Sequence, residues 1–227
     1  MPFLGAIGVM LLLGLVFGPS LWVRYILRKH GAERPDLPGT GGELACHRLD
    51  EAQLFDVKVE PTDQGDHYDP GLRAVRLLPQ HFAGRSIAAV AVAAHEVAHA
   101  IQHARGEPAF FRRIELVGNL IWVERIATVV LLLAPVMLVV LKAPAFVVLQ
   151  VLAAIALMGI GVAVHVFTLP VEFDASFAKA LPVLERGRYL SPRDMPAARS
   201  VLKAAACTYV ASALATLLNI ARWFRFL

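Results

Sequence analysis

Charge is scarce in this chain, and it is missing in blocks. Residues 1–23 carry none, and across 126–171 Lys142 is the sole formal charge. Charged residues make up 18% of the 227 and hydrophobic residues 57%, with a mean hydropathy of +0.60. A soluble domain is about 25% charged and 45–50% apolar, so the composition turns away from that class and toward a membrane protein. Cysteine is nearly absent as well. Cys46 and Cys207 stand far apart with no C-x-x-C pair, which excludes a disulfide framework and a zinc knuckle. No stripe of Lys and Arg with interleaved aromatics occurs, so nucleic acid is not an expected partner. The net charge of +4 and pI of about 9.3 suit an anionic lipid surface instead. Internal repeats and low-complexity tracts are lacking. The first apolar run has no basic segment before it, as a signal peptide requires, and it is long, so a retained transmembrane helix is expected there.

What is present sorts into apolar blocks and two polar pieces. Arg24, Arg28 and Lys29 follow the first block and place the next segment in the cytoplasm by the positive-inside rule. The second block, 126–141, is bounded by Arg125 and Lys142, and the third, 143–171, runs without formal charge to Glu172. Together they read as a transmembrane hairpin that returns the chain to its starting side. The last block, 204–221, has Thr208, Ser212, Thr216 and Asn219 on one stripe, with Arg222 and Arg225 beyond it. It suits a fourth span packed by that stripe or an interfacial helix, and the span is favoured. The expected divisions are a helix over 1–27, a metallopeptidase portion over 28–125, the hairpin over 126–171, polar helices over 172–203 and a membrane-packed helix over 204–227. Within the first polar piece, 43–54 predicts a short amphipathic helix. The alternating FDVKVE (55–60) predicts a strand paired with AVRLL (74–78) across a link dense in turn formers.

One motif carries chemistry. His95, Glu96 and His99 form HEVAH, an instance of H-E-x-x-H, within 86–104, a stretch free of Pro and Gly. Histidines four apart on a helix share a face and reach one ion. Zinc held by two His and a carboxylate keeps an open position, where a water's pKa falls toward neutrality. Glu96, one step round the helix, is placed to take and return a proton as general base. The plainer reading makes both histidines core residues and pairs Glu96 with Arg85 or Arg105. A third ligand is needed. His103 continues the spacing but stands roughly 12 Å along the axis from His95, beyond the reach of zinc bonds. A carboxylate on another helix is required, and Glu172 stands out because it ends the long uncharged run just past Pro170. As a charge at a helix N-terminus it also has a purely structural reading. Four weaker candidates follow. His67 and Tyr68 in the turn-rich loop suit oxyanion stabilisation. Asp174 suits a hydrogen bond to a ligating histidine. Ser176 stands four residues after Glu172.

DHYDP (66–70), GRSIAAVAVAAHEVAHAIQHA (84–104) and FTLPVEFDAS (167–176) give the chain its resemblance to the YugP-like neutral zinc metallopeptidases of bacterial membranes. More distantly it is similar to the HtpX and CAAX-prenyl protease group, in which a glutamate on a later helix completes the site. The resemblance implies a Zn2+-dependent membrane peptidase with His95, His99 and Glu172 as ligands, Glu96 as base and a site facing the cytoplasm. The chain departs from the pattern at Ala98, where glycine is common, and near Ala178, where arginine is common, which leaves Asp174 without its expected partner. The expected fold is mainly α: a polytopic helical membrane protein of about four transmembrane helices with a small cytoplasmic zincin-like α+β portion carrying a β-hairpin. The expected partners are the lipid bilayer and a polypeptide substrate, in a bacterial plasma membrane. Two other functions compete. A non-catalytic zinc scaffold is disfavoured because a structural site closes its fourth position. A site-2-type protease cutting within the bilayer lacks a later Asp-Gly ligand motif.

Overall fold

The computed structural model describes residues 2–141, 144–208, 210, 211 and 214. Lys142 and most of the 204–221 block, with Arg222 and Arg225, lie outside the described residues. The chain divides into two units. Unit 1 holds Met1–Ser20, Arg112–Thr168 and Tyr209–Leu227; unit 2 holds Leu21–Phe111 and Leu169–Thr208. The described residues form α1 (Pro2–Lys29), α2 (Gly41–Glu51), β1 (Lys58–Pro61), β2 (His67–Asp69), β3 (Ala74–Leu77), α3 (Pro79–Phe82), α4 (Ile87–Ala104), α5 (Pro108–Leu141), α6 (Pro144–Phe173), a π-helical segment (Asp174–Ala180), α7 (Leu181–Arg186) and α8 (Met195–Ala206).

Unit 1 is helical. Within it Ser20 Oγ donates to the Ala211 carbonyl at 2.9 Å, and Gln150 Nε2 donates to the Val130 carbonyl at 2.9 Å. Such bonds satisfy polar atoms among apolar side chains, where an unmade bond is costly. The expectation of about four transmembrane helices is overturned here. Among the described residues one helical stretch, Val148–Arg186, is long and apolar enough to cross a membrane. The physical reasons differ by block. The 126–141 run is no separate element but the end of α5, which before that run carries Arg112, Arg113, Glu115, Glu124 and Arg125. Its uncharged part rises roughly 24 Å at 1.5 Å per residue, short of a ~30 Å hydrocarbon core. In α1 the described apolar side chains include buried ones (Val16, Val23 and Ile26) and exposed ones (Met10, Leu11, Phe17, Leu21 and Tyr25). Hydropathy alone does not distinguish burial in protein from burial in lipid.

Unit 2 is built round α4, on which α2, α8, the π-helical segment and strands β2 and β3 all pack. Alanine makes this possible: Ala88, Ala89, Ala91, Ala93, Ala98 and Ala100 are all buried and let neighbouring backbones come close. The approach is tightest at Gly41 of α2, where a Cβ would fall 2.3 Å from the His81 carbonyl oxygen and 2.7 Å from that of Ala89. Ser86 Oγ caps α4 by accepting from the Ala89 amide at 3.0 Å. Thr40 and Glu43 form a reciprocal capping box at the start of α2, a device that contributes about 1 kcal/mol. Leu77, Val97, Phe110, Leu184 and Leu202 fill the core, each stabilising the fold by about 1.5–3 kcal/mol.

The sheet corrects a second expectation. Its order is β1-β3-β2, with β1 parallel to β3 and β2 antiparallel to it. The segments around FDVKVE and AVRLL therefore pair without forming a hairpin. The link between them makes two turns and not one, with HYD as a short strand between. Asp69 Oδ1 closes the second turn by accepting from the Gly71 and Leu72 amides at 2.9 and 3.0 Å. A run of turn formers marks turning but does not count the turns.

Candidate metal centre

α4 presents His95 and His99 on one face, with ring centroids 4.7 Å apart and planes at 81°. Glu172, at the end of α6, is brought against them. The His95 and His99 Nε2 atoms are 3.2 Å apart, and Glu172 Oε2 lies 3.3 Å from the first and 3.2 Å from the second. His95 and His99 are each 2% exposed and Glu172 is 0% exposed, so bulk water does not separate them.

The proton inventory decides what these contacts are. Gln102 Nε2 donates to the Val171 carbonyl at 3.1 Å and to Asp174 Oδ2 at 2.7 Å, which turns its Oε1 toward His99. That oxygen can only accept, so His99 Nδ1 carries the proton in their 2.8 Å bond. The Ser176 hydroxyl donates to the Leu202 carbonyl at 2.9 Å and therefore accepts from His95 Nδ1–H, also at 2.9 Å. In the neutral tautomer that these bonds select, each ring turns its Nε2 lone pair toward the carboxylate oxygen and the other ring. Three electron-rich atoms at this spacing repel unless a cation stands among them. The spacing suits zinc: a tetrahedron of 2.0–2.1 Å bonds has edges of about 3.3–3.4 Å. Hydrogen bonds of this kind at Nδ1 are what fixes the tautomer of metal-binding histidines.

The other residues singled out from the sequence fall on either side of this cluster. Glu96 lies next to His95 on α4 and is 7% exposed. Ser176 reaches His95. Asp174 acts one step removed, on Gln102, and its cation is supplied by Lys179, which pairs with it and also with Glu107 at 3.1 Å. The arginine lacking near Ala178 is thus replaced one position on. The pair is five residues apart, the hydrogen-bond spacing of the π-helix that begins at Asp174, where the Leu181 amide donates to the Ser176 carbonyl. Single-turn π segments occur often at functional sites. Tyr68 instead bonds His103, with its hydroxyl 2.9 Å from Nδ1. Burial pushes the Tyr68 hydroxyl up and the His103 imidazole down, with Arg73 also acting to lower the imidazole, so both are neutral near pH 7. Phe110 lies tilted beside His99, His103 and Tyr68, with ring centroids 5.6–6.4 Å away. His67 Nδ1 donates to the Gly65 carbonyl at 2.8 Å, a bond internal to its turn. Asp66 joins that turn to α3 by accepting from the Leu78 amide and from His81, each at 2.8 Å.

Gln102 and Lys179 are the supporting residues that the sequence reading missed. Gln102 had a signal, being the one amide side chain of α4 and three residues past His99. Lys179 had none without the π spacing. Removing the partners of the two Nδ1 atoms, Ser176 and Gln102, should loosen the metal without removing a ligand. Ser176→Ala and Gln102→Leu are each expected to weaken zinc binding by about 10–100-fold, measured by competition with a chromogenic chelator.

A buried cluster of two imidazoles and one carboxylate could hold a metal ion, and it is the donor set found in hydrolytic zinc sites. The chain belongs to the family described as "Putative neutral zinc metallopeptidase", which matches residues 6–227. It is similar to the protein described as "Putative membrane protease YugP" of Bacillus subtilis (strain 168), at 34% identity over 220 residues, covering 93% of this chain and 91% of that one. No solved structure matches.

Proposed function

We propose that the protein is a membrane-attached zinc endopeptidase that cuts polypeptide segments at the cytoplasmic face of the membrane. The observation that carries this reading is the convergence of His95 Nε2, His99 Nε2 and Glu172 Oε2 with both Nδ1 protons already committed elsewhere. His95, His99 and Glu172 would hold zinc, which when bound supplies a Lewis acid that activates water and polarises a carbonyl. The chain's own part is proton movement and positioning. The Glu96 carboxylate takes a proton from the attacking water and gives it to the amide nitrogen that leaves. Ser176 and Gln102 hold the two imidazoles in their tautomers through the cycle. The test is hydrolysis of a fluorogenic unfolded polypeptide by the zinc-loaded chain, with chelator and Glu96→Gln as controls; absence of any zinc-dependent cleavage would sink the proposal.

A site inside the bilayer is less well supported. α4 packs against β2 and β3, and β2 is an edge strand. Open sheet edges do not occur in contact with lipid. The cytoplasmic orientation is supported by charge around the one candidate crossing. Lys179, Arg186, Arg188 and Arg193 lie within 20 residues after α6, whereas Arg125 and Lys142 lie within 20 residues before it, and such asymmetry favours the basic side inward. In a Cys46→Ser, Cys207→Ser background, a cysteine at Gln64 should then escape an impermeant thiol reagent in intact cells and react after lysis. Full labelling in intact cells would reverse the orientation.

A further inference from the structure

A face of α4 other than the one bearing His95, His99 and Gln102 opens on a cavity of about 200 Å³. Its floor is apolar, with Ala94, Val97, Ala98 and Ile101 from α4. Pro182 and Val183 of α7 add to it. Four cationic side chains line the same space: Arg48 of α2, Arg105 just past α4, Lys179 of the π-helical segment and Arg186 at the end of α7. No acidic residue is among the lining.

The four cations are not equally neutralised. Arg48 is paired with Glu51, and Lys179 with Asp174 and Glu107. Arg105 and Arg186 are exposed, and among the described residues neither has a carboxylate partner. Like charges drawn to one concavity repel each other, and an apolar floor does nothing to screen them. Guanidinium groups meet phosphate oxygens in bidentate pairs, while an apolar floor accepts the organic part of an esterified phosphate.

We propose that this cavity is a binding site for a phosphate-class anion, supplied either as free phosphate or as the phosphate of an anionic lipid headgroup. Arg105 and Arg186 are its principal donors, with Lys179 and Arg48 in the same lining. The site is independent of the metal but close to its supports. Lys179 pairs with Asp174, Asp174 accepts from Gln102, and Gln102 holds His99, so an anion competing for Lys179 acts on the chain of contacts that orients a metal-binding ring.

The test uses the full-length, zinc-loaded protein in a non-ionic detergent. Calorimetric titrations are run with inorganic phosphate, with dihexanoyl phosphatidylglycerol below its micellar concentration, and with dihexanoyl phosphatidylcholine as the zwitterionic control. The Arg105→Ala, Arg186→Ala double variant should bind at least about tenfold more weakly than the wild type, the low end for losing charge-assisted hydrogen bonds. Its zinc content should equal the wild type's, which shows that the fold is intact and that the anion lost was not one bound at the metal. Tighter binding of phosphatidylglycerol than of phosphate identifies the lipid headgroup as the source, and the reverse identifies the free anion. The proposal is overturned if neither anion binds, if phosphatidylcholine binds as well as phosphatidylglycerol, or if the double variant binds undiminished.

Discussion

Glu96→Gln is expected to leave about one zinc per chain and to reduce peptide hydrolysis by two or more orders of magnitude, the usual scale for removing a positioned acid–base group. Glutamine keeps the volume and hydrogen-bonding reach of the side chain but has no lone pair basic enough to take the proton. The residue is 7% exposed and lies beside His95 on the same helix, so the substitution fits the space it replaces. The loss should appear in kcat more than in KM, because the proton moves only as the transition state is approached. Activity within a few-fold of the wild type, at equal zinc content, would show that another group accepts the proton.

Glu172→Ala should fail differently, with metal and activity lost together. Glu172 is fully buried, and its Oε2 closes the triangle with the two Nε2 atoms. Without it, two neutral imidazoles remain, and zinc sites require at least three protein ligands for tight retention. Bound metal stabilises the folded state by mass action, about 4 kcal/mol at a thousandfold excess over Kd. The zinc-dependent rise in Tm seen for the wild type should therefore shrink or vanish in the variant. Cleavage should fall by at least the same two orders of magnitude as for Glu96→Gln.

Much of the cluster could be read from the chain because its logic is local. His95 and His99 stand four apart in a stretch with no helix breaker, so their rings had to share a face. His103 was set aside by axial rise alone, and in the structure it bonds Tyr68. Glu172 drew notice as the first charge after a long apolar run. What the sequence hid was non-local or had no compositional signature. Parallel pairing of β1 with β3 depends on a third strand three residues long, hidden within a link rich in turn formers. The Asp174–Lys179 pair needs a spacing of five, which a reader assuming α-helical periodicity places on different faces. The span count failed because apolar runs were counted as elements, whereas the 126–141 run is the end of the longer, charge-bearing helix α5.

The measurement that bears most directly on the metal centre is zinc stoichiometry after exhaustive dialysis, for the wild type, Glu172→Ala and His103→Ala in parallel. The geometry predicts about one zinc per chain for the wild type and for His103→Ala, and far less than one for Glu172→Ala. Full zinc retention by Glu172→Ala together with loss from His103→Ala would contradict the assignment of His95, His99 and Glu172 as the metal's ligands.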